Sequence, residues 1–122
     1  MIDCEGLASF LFELDSNIRY VGIIDERHDK VLLSRLRTGI VPLTLEHSQL
    51  LELYPVVIMR AAERAQATLG ALKTAVFRYE KSVLVARKLG DLVVVIGLEP
   101  RVEPPSYVKR IDEVLSKYNV DN

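Results

Sequence analysis

The sequence predicts an α/β (α+β) domain in which a five-stranded, mostly antiparallel sheet carries helices on both faces. Segments with helical and with strand periodicity follow one another in the order α-β-β-α-β-β-β-α. Short polar turns join the last three strand segments as hairpins, which makes their pairing antiparallel. The run Leu92-Val93-Val94-Val95-Ile96 does not alternate with polar residues, so both of its sides should be buried, at the centre of the sheet.

The first half of the chain supplies a helix and two strands. Apolar residues at helical spacing predict a helix over roughly residues 4–15. Residues 18–24 are rich in β-branched side chains and predict a strand, and a polar turn leads to a returning strand over residues 31–36. Gly22 lies inside the first of these strands, where a helix packed closely over the backbone would explain the missing side chain.

A long helix is predicted from about residue 44 to residue 68. Thr44 is its expected N-cap and Gly70 its expected stop. Pro55 lies in the middle, where it removes one backbone hydrogen bond and bends the axis. The segment is therefore either one bent helix or two helices in tandem.

The second half of the chain completes the sheet. Strands are predicted over residues 72–79, 82–87 and 92–98, and a last helix over residues 106–118. We expect residues 1–122 to form one domain, because a chain of 122 residues is long enough to bury one core and suits one domain rather than two.

Composition narrows the classes of function. The formal net charge of -1 argues against a general nucleic-acid-binding protein, which usually has a clear basic excess. No apolar run has the length of a transmembrane helix, and Asp3 and Glu5 stand where a signal peptide would have its basic residues. Cys4 is the single cysteine, so an intrachain disulfide is impossible and we expect a cytoplasmic protein.

The residues that usually carry catalysis lack partners in this sequence. His28 and His47 have no cysteine or histidine companion at metal-ligand spacing, and Cys4 has no identifiable base to activate it. The glycines form neither a dinucleotide-binding motif nor a P-loop. We therefore expect a protein that is not an enzyme and has no cofactor and no metal site.

The long helix carries apolar residues on two sides, and the broader side has the spacing of a face that packs on a sheet. Val56 and Met59 fall on the opposite side, beside Glu52 and Glu63. A helix on a sheet has no intramolecular use for apolar groups on its outer side, so these four residues are predicted to lie in a protein interface. The alternatives are two scattered surface residues, or a change of phase at Pro55 that turns Val56 inward. The broader side consists of Leu50, Leu51, Leu53, Tyr54, Val57, Ile58, Ala61, Ala62 and Ala65.

The strand over residues 72–79 follows the long helix and is expected at an edge of the sheet, where unpaired strands recruit other strands. Thr74, Val76 and Arg78 are therefore added to the predicted interface. Lys73 and Arg78 have two interpretations, because charged residues either protect an edge strand from pairing or flank a strand-to-strand interface.

Five segments carry a resemblance to known proteins. They are Asn17-Ile18-Arg19-Tyr20-Val21-Gly22-Ile23-Ile24-Asp25, Gly39-Ile40-Val41-Pro42-Leu43, Leu69-Gly70, Phe77-Arg78-Tyr79-Glu80-Lys81 and Gly97-Leu98-Glu99-Pro100. These segments resemble a family of short proteins from ammonia-oxidising archaea. The element order resembles the Roadblock/longin group within the broad profilin-like architecture.

The resemblance implies a non-catalytic platform for other proteins. Roadblock-like proteins form homodimers in which the third strands join into one continuous sheet and the long helices lie side by side. Such dimers bind small GTPases or other regulatory proteins, so the resemblance implies both kinds of partner for this chain. The alternative is a small-molecule sensor of the PAS or profilin-like type, with Tyr20 and Tyr54 as polar groups of a pocket between sheet and helix.

Overall fold

The computed structural model describes residues 3–40 and 45–118, and of residues 45–52 it describes the backbone only. The predicted element order is confirmed, with a 3-10 turn and one short extra helix between the long helix and the third strand. The predicted N-cap at Thr44 lies outside the described residues. The elements are α1 (Cys4–Leu14), β1 (Ile18–Asp25), β2 (Lys30–Leu36), α2 (Leu45–Ala62), the 3-10 turn (Glu63–Ala65), α3 (Gln66–Leu69), β3 (Thr74–Arg78), β4 (Val83–Leu89), β5 (Leu92–Leu98) and α4 (Pro104–Tyr118).

The strands form one sheet in the order β2-β1-β5-β4-β3, and each neighbouring pair is antiparallel. The predicted central position of β5 is confirmed, and every residue of this strand after Leu92 is buried. β3 is an edge strand, as its place after the long helix predicts, and β2 forms the other edge.

The sheet lies between two helical layers with separate cores. On one face, α1 and α4 bury Leu7, Leu11, Ile111 and Leu115 against the strands. On the other face, α2 packs on a smaller apolar cluster. Because alternate residues of a strand point to opposite faces, this two-layer cover explains why β5 is apolar on both sides.

The long helix is continuous through Pro55, which is buried, and ends at Ala62. The 3-10 turn and α3 then continue the same stretch of chain to Leu69. The predicted stop at Gly70 is confirmed, since its φ is 86° and its N–H donates to the carbonyl of Gln66 at 2.8 Å. Glycine adopts this left-handed backbone region without steric cost.

Tyr20 on β1 covers two glycines of the central strands. A Cβ atom at Gly22 would collide with the Tyr20 hydroxyl, and one at Gly97 on β5 would lie 3.0 Å from Tyr20 Cβ. The prediction that a helix packs over Gly22 is therefore wrong. The aromatic side chain two residues earlier takes that space, because residues i and i+2 of a strand share a face.

We expect Gly22→Ala to lower the free energy of unfolding by about 1–3 kcal/mol, the usual cost of adding a methyl group to a filled site. Tyr20 is 8% exposed, so its ring has little room to move aside. Chemical denaturation measures the loss. Tyr20→Phe in the same background removes the colliding oxygen and should recover part of the stability, whereas equal stabilities with and without the hydroxyl would contradict this packing.

Candidate interface on the second helix and the edge strand

Val56 and Met59 lie on the inner side of α2, and the prediction that they face outward is wrong. Met59 is 0% exposed and Val56 is 4% exposed. Both belong to the apolar cluster under the helix, together with Tyr20 and Val93 from the central strands. These two side chains therefore hold α2 on the sheet and are not available to a partner.

Glu63, predicted beside them, also turns toward the sheet. Its carboxylate accepts a hydrogen bond from the Lys88 ammonium at 2.5 Å, and the same ammonium lies 2.8 Å from the Glu26 carboxylate. Arg60, one turn earlier, donates to Asp29 at 2.8 Å and to the Glu26 carbonyl at 3.2 Å. These polar contacts hold the end of α2 and the following 3-10 turn against β4 and the turn between β1 and β2.

Lys88 remains charged in this half-buried position. Partial burial disfavours the ammonium, but hydrogen bonds and attraction from Glu26 and Glu63 outweigh that cost and raise the pKa of Lys88. Its contribution to stability is therefore present below the ordinary lysine pKa and is lost only as pH rises through the raised value.

The two sets of contacts explain why the helix orientation is the reverse of the predicted one. Both sides of α2 are apolar enough to pack on a sheet, so helical spacing alone cannot choose between them. Only the narrower side brings Arg60 to acids in the turn between β1 and β2, and Glu63 to a lysine on β4. Lys88 is the sequence signal that was missed, because it lies beyond the predicted end of this strand at residue 87, whereas the structure extends β4 to Leu89.

The broader apolar side of α2 is consequently exposed. The fractional exposures are 47% for Leu53, 53% for Tyr54, 56% for Val57 and 47% for Ile58. An amphipathic helix normally presents polar residues to solvent, so an apolar outer side indicates a surface that something covers. We call this surface the outer face; it consists of Leu53, Tyr54, Val57, Ile58, Ala61 and Ala65.

The edge strand β3 contains the other predicted interface residues. Within the described residues β3 pairs with β4 only, and its second side carries no strand. Val76 is 43% exposed, Arg78 is exposed and Thr74 is half-buried. Ala75 and Phe77 pack in the α2 layer, so the three predicted residues alternate to the opposite face of the sheet.

The structure thus divides the seven predicted interface residues. Thr74, Val76 and Arg78 lie along the sheet edge. Val56 and Met59 are buried between α2 and the sheet, and Glu63 pairs with Lys88 on β4. The side chain of Glu52 lies outside the described part of the molecule. Whether the three edge residues contact a partner stays a prediction.

An open groove adjoins the outer face. It lies between the end of α2, α3 and the start of β3, and its volume is about 420 Å³. Ala62, Ala65 and Leu69 line its helical side, and Leu72 and Thr74 line its strand side. Since Ala65 belongs to both surfaces, the groove and the outer face are continuous.

The two tyrosines considered for a ligand pocket do not converge. Tyr20 is buried beneath α2, with its hydroxyl 3.5 Å from Ser34 Oγ, while Tyr54 lies on the outside of the same helix. In residues 3–40 and 45–118, no three acidic, histidine or cysteine side chains are grouped to hold a metal ion. A search of the same described residues finds no helix that combines the length and the hydropathy needed to cross a bilayer.

No family model and no curated protein matches this sequence. Solved structures do match its fold. The gliding protein MglB from Thermus thermophilus is 14% identical, with a TM-score of 0.72, and the match covers 97% of this chain and 89% of that one. An MglB with a tetrameric arrangement is 17% identical, with a TM-score of 0.72 and coverage of 94% and 86%.

A third match is the Roadblock/LC7 domain from Streptomyces avermitilis. It is 10% identical, with a TM-score of 0.67, and the match covers 94% of this chain and 93% of that one. Similarity at such low identity shows the fold and nothing finer. The five-stranded antiparallel sheet with helices on both faces is a Roadblock/longin-like fold.

Proposed function

We propose that this protein is a non-catalytic interaction platform that forms a homodimer through the outer face of α2 and the edge strand β3. The observation that carries the proposal is the position of four large apolar side chains, each about half exposed, beside a sheet edge that no strand of the described residues covers. Burying apolar surface stabilises association by roughly 25 cal/mol per Å². An open strand edge adds backbone hydrogen bonds to the same contact.

A two-fold axis perpendicular to the sheet brings both surfaces, the outer face of α2 and the edge strand β3, into contact with their copies. It pairs β3 with its copy in antiparallel fashion and keeps both α2 helices on the same face of the joined sheet. An axis along the strands would place the two helices on opposite faces, so they could not cover each other. Thr74, Val76 and Arg78 then lie along the joined edges, which is the role predicted for them.

The dimer would serve as a platform for further proteins. Proteins of similar fold include a gliding protein and an MglB that assembles as a tetramer, and a small GTPase or another regulatory protein is the partner that we propose for this chain. A cytoplasmic location and an origin among ammonia-oxidising archaea belong to the same proposal. The proposed role requires no chemistry at any side chain.

Ile58→Glu tests the homodimer. We expect the wild type to be a dimer at micromolar concentrations, and we expect the variant to weaken association at least about 100-fold, because two carboxylates would be buried in an apolar contact. Light scattering gives the mass, and circular dichroism checks that the variant keeps its helices. The fold should persist, since Ile58 is 47% exposed in the single chain.

Phe10→Glu is the matched control. Phe10 is 40% exposed on α1, which covers the opposite face of the sheet, so the same change there should leave the dimer intact. A wild type that remains a monomer at several hundred micromolar would refute the homodimer. Equal weakening by both variants would show that the outer face of α2 is not the contact.

A further inference from the structure

The outer region of α2 is graded by side-chain size along the helix. From residue 53 to residue 58 the outward side chains are large: Leu53, Tyr54, Val57 and Ile58. From residue 61 onward they are alanines, at positions 61 and 62 of α2 and at position 65 of the following turn. All seven residues are exposed in the single chain. Six of them form the outer face, and Ala62 lines the adjoining groove. A surface with large residues at one end and small ones at the other is complementary to itself only when the copy runs in the opposite direction.

Antiparallel pairing about an axis near residues 59 and 60 matches large residues with small ones. Ile58 then lies opposite Ala61 of the copy, and Tyr54 lies opposite Ala65. Parallel pairing would set large residues against each other at one end and leave space between alanines at the other. Such gaps forfeit the close packing that interfaces share with protein interiors.

The groove beside Ala65 has the shape and the chemistry to take an aromatic ring. Its walls include Ala62, Leu69 and Leu72, and Gln66 adds a polar side chain at the same opening. Leu69 is 80% exposed, so a ring entering the groove would also cover an apolar side chain that the single chain leaves in solvent. A buried tyrosine needs an apolar wall for its ring and a hydrogen-bond partner for its hydroxyl.

We propose that this groove is the binding site for Tyr54 of a second copy of the chain, which fixes the two α2 helices in one antiparallel register. The inference rests on the proposed homodimer and adds to it the anchoring residue and its receptor. Tyrosines seated in pockets are typical anchors of protein interfaces. Two such contacts, related by the two-fold axis, select a copy of this chain over partners with a different spacing.

A size exchange tests the contact. Ala65→Phe fills the groove and should weaken the dimer at least about 30-fold, as should Tyr54→Ala, which removes the anchor. The double variant Tyr54→Ala/Ala65→Phe places a large side chain opposite a small one again, and we expect it to dimerise within about 10-fold of the wild type. Sedimentation equilibrium measures the dissociation constants of the wild type and the three variants, and circular dichroism confirms that each variant is folded.

The outcomes distinguish failure of the proposed groove contact from failure of the proposed homodimer. If Ala65→Phe leaves the dissociation constant unchanged, or if the double variant is no better than the single ones, the groove is not the receptor although the dimer stands. If the wild type is a monomer, the proposed homodimer fails first.

Disulfide trapping checks the register independently. In a Cys4→Ser background, Tyr54→Cys and Ala65→Cys chains are oxidised separately and as a mixture. Disulfides form only between Cα atoms about 4.4–6.8 Å apart, so we expect cross-linking in the mixture and none in either variant alone. Cross-linking of Tyr54→Cys chains with each other would place the axis at Tyr54 and overturn the proposed register.

Discussion

Met59→Glu should unfold the protein instead of merely separating a dimer. Met59 is fully buried under α2, in contact with a cluster that includes Tyr20, Ile24 and Val95. The substitution removes a core side chain, at a cost of about 2–5 kcal/mol, and leaves a carboxylate without a partner in apolar surroundings. Because domains of this size are stable by about 5–15 kcal/mol, we expect most or all of the cooperative unfolding transition to be lost.

Two controls isolate burial as the cause. Val57→Glu changes a residue two positions earlier that is 56% exposed, so it should keep the fold while weakening self-association. Met59→Leu keeps the volume and should cost less than about 1.5 kcal/mol. Thermal and urea unfolding, followed by circular dichroism, compare the three variants with the wild type. A Met59→Glu chain with the wild-type unfolding midpoint would mean that α2 packs with its other side on the sheet.

The order of the elements could be predicted because each one depends on a local pattern. The apolar run of β5 requires cover on both faces, and this alone places it at the centre. Hairpin turns fix both neighbours of β4, and the place of β3 directly after the long helix predicts that it lies at the edge of the sheet. None of these inferences needs a side-chain position in three dimensions.

The rotation of α2 could not be predicted in the same way. A helix with two apolar sides has two orientations of similar hydrophobic energy, and the choice depends on what the sheet offers. Here β4 provides Lys88, which pairs with Glu63, and the turn after β1 provides Glu26, which pairs with Arg60 near the end of the helix. The outer side of α2 is apolar, as predicted, but it is formed by the broader set of apolar residues and not by Val56 and Met59.

Because Lys88 helps to fix the orientation of α2, it is the second position at which we expect a substitution to have a large effect on stability. Its ammonium bridges the carboxylates of Glu26 and Glu63, whose side chains are 13% and 25% exposed. Lys88→Met leaves two partly buried negative charges facing each other without the cation between them. We expect the free energy of unfolding at pH 7 to fall by about 2–3 kcal/mol, close to the cost of leaving a buried charged partner unpaired.

Arg27→Met is the matched control for loss of one positive charge. The Arg27 guanidinium lies 3.7 Å from the Asp91 carboxylate, but both side chains are more than 70% exposed, so the change should be nearly silent. The double variant Lys88→Met/Glu63→Leu removes one of the opposed carboxylates and should recover at least half of the lost stability. Urea denaturation at pH 7 compares the four chains. Equal losses for Lys88→Met and Arg27→Met would mean that the cluster does not hold α2, and that Val56 and Met59 alone set the orientation of its outer face.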